Sequence, residues 1–505
     1  MRRARKVKCD EQKPECHRCV STGRKCDGYQ QLSNTPSPSN NILQIHSDLF
    51  ASQTERRSFD YFQTRACQDL GRYFHFPFWS REVLQAAIHF PPIRHLVIAL
   101  GAAYESFTLE GSNEPNPHES AAGMQFALQQ SNHSIRHMHN LFQSASTNGQ
   151  SLESTCCILT ASILFTYLSS LQGYLGQAIE HIRSGLKLLQ DFDASPWRQE
   201  ASNPAYPVPI ELLRSILIAM YGQVRCMIND EALTKWDRDL LVCDVEPVFW
   251  FSSVADAHNY VESLFQNMLA FLQTTEFNPP RTPDQLAAFQ TRRNELLRAL
   301  KSSCEALELL SSHQSLSAGS HPVENGITIL RLYHTLIEMR LRMDALRPDK
   351  REATFDALEP QLEKMLEYCG LLVNDDPAGS TRALCHSGLG IVMPLHTVAA
   401  RCRNPQLRRK ALDMLLKGAR RECLWDGIMT GKIAAKTLEI EEQRVLEEEE
   451  VDFSSAEELR KNVPDERRVR EVKIEFHGER KARLQFITVG NWKRNETGVQ
   501  HVIEW

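Results

Sequence analysis

Four cysteines crowd the first 26 residues: Cys9, six residues, Cys16, two residues, Cys19, six residues, Cys26. A Cys-x2-Cys knuckle flanked by further thiols is the arrangement that soft, tetrahedral zinc selects, with thiolates at about 2.3 Å around a d10 ion that makes no geometric demand of its own. The segment has too few apolar residues to build a core, so metal binding would be its folding energy. Basic side chains surround the thiols: Arg2, Arg3, Arg5, Lys6 and Lys8 precede Cys9, and Lys13, Arg18, Arg24 and Lys25 follow. Taken alone, Arg2 to Lys8 reads as a nuclear import signal or a solvated basic tail.

Other combinations that could do chemistry are weaker. Gly427, Gly431 and Lys432 suggest a phosphate loop, but the glycines are one residue too close and Ile433 stands where a magnesium-binding Ser or Thr belongs. Gly388 and Gly390 lack a third glycine and a preceding strand. His133 and His137, one helical turn apart, have no third metal ligand at a useful spacing, and read as an exposed helix face. His118 with Glu119 lacks the second histidine of a metalloprotease, and Ser387 lacks nucleophile-elbow glycines. No constellation supports catalysis, and the expected class is a non-enzyme.

The chain has 505 residues, 42% apolar and 24% charged, close to average soluble usage, which excludes global disorder and collagen-like or coiled-coil-only designs. Its net charge of -5 carries no basic signature overall. The sign is uneven, however: residues 1 to 30 hold nine basic against four acidic side chains, so the remainder is strongly acidic. The other ten of the fourteen cysteines lie scattered in apolar stretches, where a free thiol behaves as a small hydrophobe. MRRARKVK has the charge of an export signal but no apolar run after it, which points to a reducing compartment. The longest apolar run, Cys156 to Leu168, is shorter than a spanning helix needs and is diluted by Thr160, Ser162 and Thr166, so no membrane segment is expected.

Composition divides the chain into a Cys- and Lys/Arg-rich module at 1–30 and a Ser/Asn/Pro/Gln linker at 31–53. An all-α body follows over 54–442. Leu175, Ile179, Ile182, Leu186 and Leu189 share one helix face, and so do Ile329, Leu332, Leu336, Met339 and Met343 on a helix that must end before Pro348. Thr282, Pro283 and Gln285 combine an N-cap, a first-turn proline and a capping-box partner. Residues 443–462 form an acidic connector around Glu447 to Glu450, mixed with Val445, Leu446, Val451 and Phe453. That composition suits an activation segment or, more plainly, a solvated helix face. In the tail, 463–505, Val472, Ile474 and Phe476 alternate with charges, as do Ala482, Leu484 and Phe486. This pattern predicts a two-stranded hairpin whose apolar face lies on the body.

RARKVKCDEQKPECHRCVSTGRKCDGY resembles the fungal binuclear zinc cluster (Zn2Cys6), the six-cysteine DNA-binding domain of fungal transcription regulators. That family's pattern is Cys-x2-Cys-x6-Cys, a loop with Pro, then Cys-x2-Cys-x6-Cys. Cys9, Cys16, Cys19 and Cys26 match its third to sixth ligands, Cys16 corresponds to a thiolate bridging both metals, and Pro14 matches the loop proline. Counting back from Cys9 puts the second ligand at Arg2 and the first before Met1, so the domain is expected to be truncated here, with the missing Cys-x2-Cys encoded upstream. The resemblance implies two Zn2+ in a complete cluster. It places Lys6 at the base-reading position, with Arg3, Arg5 and Lys8 set for phosphates or adjacent bases of a CG-rich triplet.

The resemblance extends into the body. ERRSFDYFQTRACQDLGRYF, FWSREVLQAAIHFPPIRHLVIALGAAYESF, QGYLGQAIEHIRSGLKLL, RRECLWDG and VREVKIEFHGERKARLQF are similar to the regulatory body and tail of an ascomycete subgroup that includes secondary-metabolite cluster regulators. The implied function is sequence-specific regulation of RNA polymerase II transcription in the nucleus. The implied partners are double-stranded DNA, the transcription machinery or coregulators, and a second copy in a homodimer, although residues 31–53 show no heptads for the usual coiled coil. The alternative is a helical interaction protein or corepressor that has lost DNA binding with two zinc ligands.

Overall fold

The computed structural model describes Ser21 and residues 49–74, 76–110, 117–148, 151–194, 206–228, 245–315, 321–343, 346–374, 383–447 and 463–505. The chain divides into two compact units, Met1–Gln53 and Thr54–Trp505. Cys9, Cys16, Cys19, Cys26, Arg3, Arg5, Lys6 and Lys8 lie outside the described residues, as do almost all of the 31–53 segment and most of the acidic connector.

The second unit is the all-α body expected from the periodicity. Its principal helices are α1 (Gln53–Tyr61), α2 (Pro91–Glu110), α3 (Pro117–Asn148), α4 (Leu152–Gln172), α5 (Leu175–Asp193), α6 (Ile210–Met227), α7 (Val254–Phe277), α8 (Pro283–Ser315), α9 (His321–Arg342), α10 (Glu359–Asn374), α11 (Val392–Arg401), α12 (Pro405–Leu416) and α13 (Gly427–Glu447). Helices adjacent in sequence pack as pairs, α2 on α3, α4 on α5, α8 on α9 and α11 on α12, because each leaves one apolar stripe that its neighbour covers. Both stripes read from sequence are buried: Leu175, Ile179, Ile182, Leu186 and Leu189 on α5, and Ile329, Leu332, Leu336 and Met339 on α9, with Met343 just beyond it.

Helix ends follow local chemistry. At the start of α8, the Gln285 backbone N–H donates to Thr282 Oγ1 at 3.2 Å, and Gln285 Oε1 accepts the backbone N–H groups of Arg281 and Thr282. That is the capping box the sequence announced. Helix α4 is capped by Ser151 and Ser154 and closes on Gly173 at φ +85°. It is long and apolar enough to cross a membrane by composition, which a count of uninterrupted apolar residues did not suggest. Yet its residues from Thr155 to Gln172 are almost all buried within the body, as the core of a folded domain requires.

Two small sheets break the helical pattern near the C-terminal end. One joins β1 (Leu384–His386), β2 (Arg420–Glu422) and β3 (Trp425–Asp426), with β1 parallel and β3 antiparallel to β2. The other joins β4 (Val469–Phe476), β5 (Lys481–Thr488) and β6 (Val499–Glu504), all antiparallel. The expected hairpin is present in register, pairing Val472 with Phe486, Ile474 with Leu484 and Phe476 with Ala482. Ala482, Leu484 and Phe486 are fully buried, so its apolar face does lie on the body, where β4 meets α5 and α13. The sheet differs from the expectation by a third strand, β6. A lone hairpin is marginal in water, and three strands give β5 partners on both edges.

Candidate nucleic-acid interface and the helical body

The residues assigned to metal and nucleic acid all fall in the first unit, so their chemistry rests on type and spacing. Soft thiolates at Cys-x2-Cys spacing fit zinc. In number, Cys9, Cys16, Cys19 and Cys26 supply four of the six thiolates that two tetrahedral ions sharing bridges require. Lys6 and its basic neighbours stand on the segment just before the first of them.

In the body, the thiols are of another kind. Among the described residues, Cys67, Cys156, Cys157, Cys369, Cys385, Cys402 and Cys423 are buried, and no disulfide joins them. Burial pushes Cys67, Cys156, Cys157 and Cys423 up to about 12. They are protonated, unreactive core groups rather than metal ligands.

The polar clusters of the body are structural. Ser387 Oγ donates to the Leu70 carbonyl at 2.7 Å and accepts from Trp79 Nε1 at 2.8 Å, so it clamps a loop. Lys432 Nζ donates to the Glu504 carbonyl at 2.6 Å, tying α13 to β6, which accounts for the lysine of the false phosphate loop. His133 and His137 acquire a neighbour that spacing could not show. His95, from α2, stacks its ring against both at 5.3 Å and bonds Gln130 through Nδ1 at 2.7 Å. Stacked faces do not converge nitrogens, and among the described residues no group of three His, Cys, Asp or Glu side chains is placed to hold a metal ion.

Sequence reasoning missed the charged seam between helices and sheet. Glu352, fully buried, lies 2.8 Å from Arg401, 3.1 Å from Arg351 and 4.0 Å from Arg403. Burial opposes its ionised form, but these three guanidiniums hold its carboxyl below the usual range. Nearby, Arg468 donates to both carboxylate oxygens of Asp356 at 3.0 and 2.8 Å. A third buried carboxylate, Glu422, is likewise opposed by burial and held low by His386 at 3.1 Å and by the backbone N–H groups of Ile391 and Val392. Gly390 is what admits it, since a Cβ there would stand 2.2 Å from the carboxyl group. Each charge is answered by the protein itself, which is the signature of a scaffold rather than of a reaction centre.

Comparison with known proteins falls on the same two parts. Residues 3–36 match the fungal Zn(2)-Cys(6) binuclear cluster domain, which contains all four N-terminal cysteines. Over 96% of its length the chain is 25% identical to an aspercryptin biosynthesis cluster-specific transcription regulator of Emericella nidulans, covering 92% of that protein. Over 67% of its length it is 24% identical to the transcription regulator lscL of Purpureocillium lilacinum, covering 85% of it. Domains of this family bind two zinc ions. The chain thus carries a match to the fungal Zn(2)-Cys(6) cluster domain at residues 3–36 and is similar over most of its length to fungal transcription regulators.

Proposed function

We propose that the protein binds CG-rich triplets in duplex DNA through the segment Arg2 to Cys9 and so regulates transcription by RNA polymerase II in the nucleus. The observation that carries this reading is the run of four thiols and eight basic side chains inside the residues that match the cluster domain. Zinc, held by Cys9, Cys16, Cys19 and Cys26, supplies rigidity to a segment too poor in apolar residues to fold alone. Lys6 donates to guanine O6 and N7, which sets sequence choice. Arg3, Arg5 and Lys8 neutralise phosphates, which sets affinity and its salt dependence. The all-α body and its sheet supply the platform on which coregulators and a second copy dock.

The test is zinc quantification on the purified full chain, followed by a mobility-shift titration with a CGG-bearing probe and a scrambled control. Retained zinc and a preferential shift, both lost in Cys16→Ser, support the reading. A chain that retains no metal and shifts neither probe is instead an interaction protein acting through its helical body.

A further inference from the structure

Where α6, α7, α9, α11 and α13 meet β4, the body holds a cavity of about 220 Å³. A dry cavity of about 150 Å³ already takes benzene, so this one has room for a single ring and a small polar head. Most of its wall is apolar, including Phe265, Met268, Leu336, Trp425, Met429 and Ile433.

The charged part of that wall is unbalanced. Five arginines, Arg225, Arg340, Arg351, Arg401 and Arg470, line it together with two carboxylates, Glu276 and Glu471. Four of the five have partners within the protein. Arg351 lies 2.9 Å from Glu276 and 3.1 Å from Glu352, Arg401 lies 2.8 Å from Glu352, and Arg470 lies 3.2 Å from Glu276. Arg225 Nε donates to Gln273 Oε1 at 2.6 Å.

Arg340, in the last turn of α9, is the exception. Among the described residues its guanidinium has neither a hydrogen-bond partner nor an ion pair, and this half-buried side chain keeps its nitrogens accessible. Glu276, whose charge reaches it, is already shared by Arg351 and Arg470. Burial, reinforced by Arg351 and Arg401, pushes the Arg340 pKa down from its ordinary value, the mark of a cation short of a counter-charge. The groups that act on it electrostatically, Arg351, Arg401, Cys226 and Glu276, all line the cavity, which places its charged end there. A guanidinium left without a partner in apolar surroundings is costly, and a protein keeps few such groups without a use.

We infer that the cavity binds a small monocarboxylate, its carboxylate held by the Arg340 fork and its apolar body, about one ring in size, filling the space beside Phe265 and Met268. A planar guanidinium matches a carboxylate through two parallel N–H···O bonds. Only one guanidinium in the described wall lacks a partner, so a single negative charge suits the site. A phosphate dianion would bring a second charge against an apolar wall, and a cation would add to the positive surplus. The site lies wholly in the second unit and does not depend on the DNA-binding reading.

Isothermal titration of the purified full chain at neutral pH with benzoate, benzamide and benzylamine tests it. The expected result is saturable one-to-one binding of benzoate, benzamide about ten-fold weaker for want of the charge, and no binding of benzylamine. Arg340→Met, which keeps the length but removes the charge and its donors, brings benzoate down to the affinity of benzamide and leaves benzamide unchanged, with the melting temperature kept or raised. Arg340→Lys restores part of the benzoate affinity. Leu272→Trp, which places a larger ring in the cavity from α7, abolishes binding of both. Absence of saturable benzoate binding, equal affinity for benzamide, or wild-type benzoate affinity in Arg340→Met overturns the assignment. The readout is independent of DNA, so its failure leaves the nucleic-acid reading intact.

Discussion

Glu441 on α13 accepts the backbone N–H of Val469, the first residue of β4, at 2.8 Å, while its other carboxylate oxygen takes Arg403 and Arg408 at 2.9 and 2.8 Å. The carboxylate is wholly buried, and both arginines are nearly so. Helix and sheet are thus locked by one side chain that answers two cations and an edge-strand amide.

Removing it should be severe. Glu441→Ala takes the nearest carboxylate from two buried guanidiniums, and the expected loss is about 3–5 kcal/mol in urea denaturation of the full chain. Glu441→Gln keeps an acceptor for Val469 and should lose less. Equal midpoints for wild type and Glu441→Ala would show the seam to be energetically idle.

Acid should destabilise the body through its buried histidines. Burial pushes His258, His334 and His396 down from 6.5 to about 4. The native state holds all three neutral while the unfolded chain takes up protons, so their contribution is complete above about pH 6.5 and drains away as pH falls toward 4. Each histidine adds about 1.4 kcal/mol per pH unit to the slope within that window. Glu262, raised to about 7, acts in the opposite sense, because its native form keeps a proton that the unfolded chain releases. Three against one leaves stability rising with pH. His396→Phe should flatten the slope by one proton, as read from denaturation at several pH values between 5 and 6.5, and an unaltered slope would contradict the assignment.

Gly173 serves two masters. Its φ of +85° closes α4 in a conformation that side chains disfavour, and an added Cβ would stand 2.5 Å from the Arg480 Cγ at the β4–β5 turn. The Arg480 backbone N–H in turn donates to the Gly173 carbonyl at 3.0 Å. Gly173→Ala should cost at least the roughly 1–2 kcal/mol of a left-handed alanine, with amide exchange accelerating first around residues 477 to 481. A variant as stable as wild type, with unchanged exchange there, refutes it.

On DNA, the basic residues should separate by role. Alanine at Arg3 or Lys8 should weaken binding to matched and scrambled probes alike and reduce the salt slope by about one, whereas Lys6→Ala should cost about 1–3 kcal/mol on the CGG probe and relax sequence choice. Fluorescence anisotropy at several salt concentrations distinguishes these outcomes, and uniform loss in Lys6→Ala would remove it from the base-reading role.

What could be read from sequence was what depends on near neighbours. The Thr282–Gln285 cap, the α5 stripe and the pairing of Ile474 with Leu484 each involve spacings of a few residues or a single turn. The strand β6 escaped because Val499 and Val502 are three apart and exposed on an edge, so no alternation marks them. Strands of two or three residues, as in β1 to β3, are too short to carry any period. His95 beside His133, and His258 beside Phe74, are meetings that only tertiary packing makes. The candidate DNA-contacting residues were the converse case, since Cys spacing is itself the chemistry and needs no fold to be recognised.

The attachment of β4 to Glu441, Arg351 and Arg401 also bears on how the protein is made. Its helices emerge from the ribosome before the strand that neutralises and covers them, and several buried arginines and carboxylates must wait for residues translated after them. Nascent chains of this protein should therefore lean on chaperones until that sheet is made, and transcripts stopped short of it should yield product that is degraded rather than merely inactive.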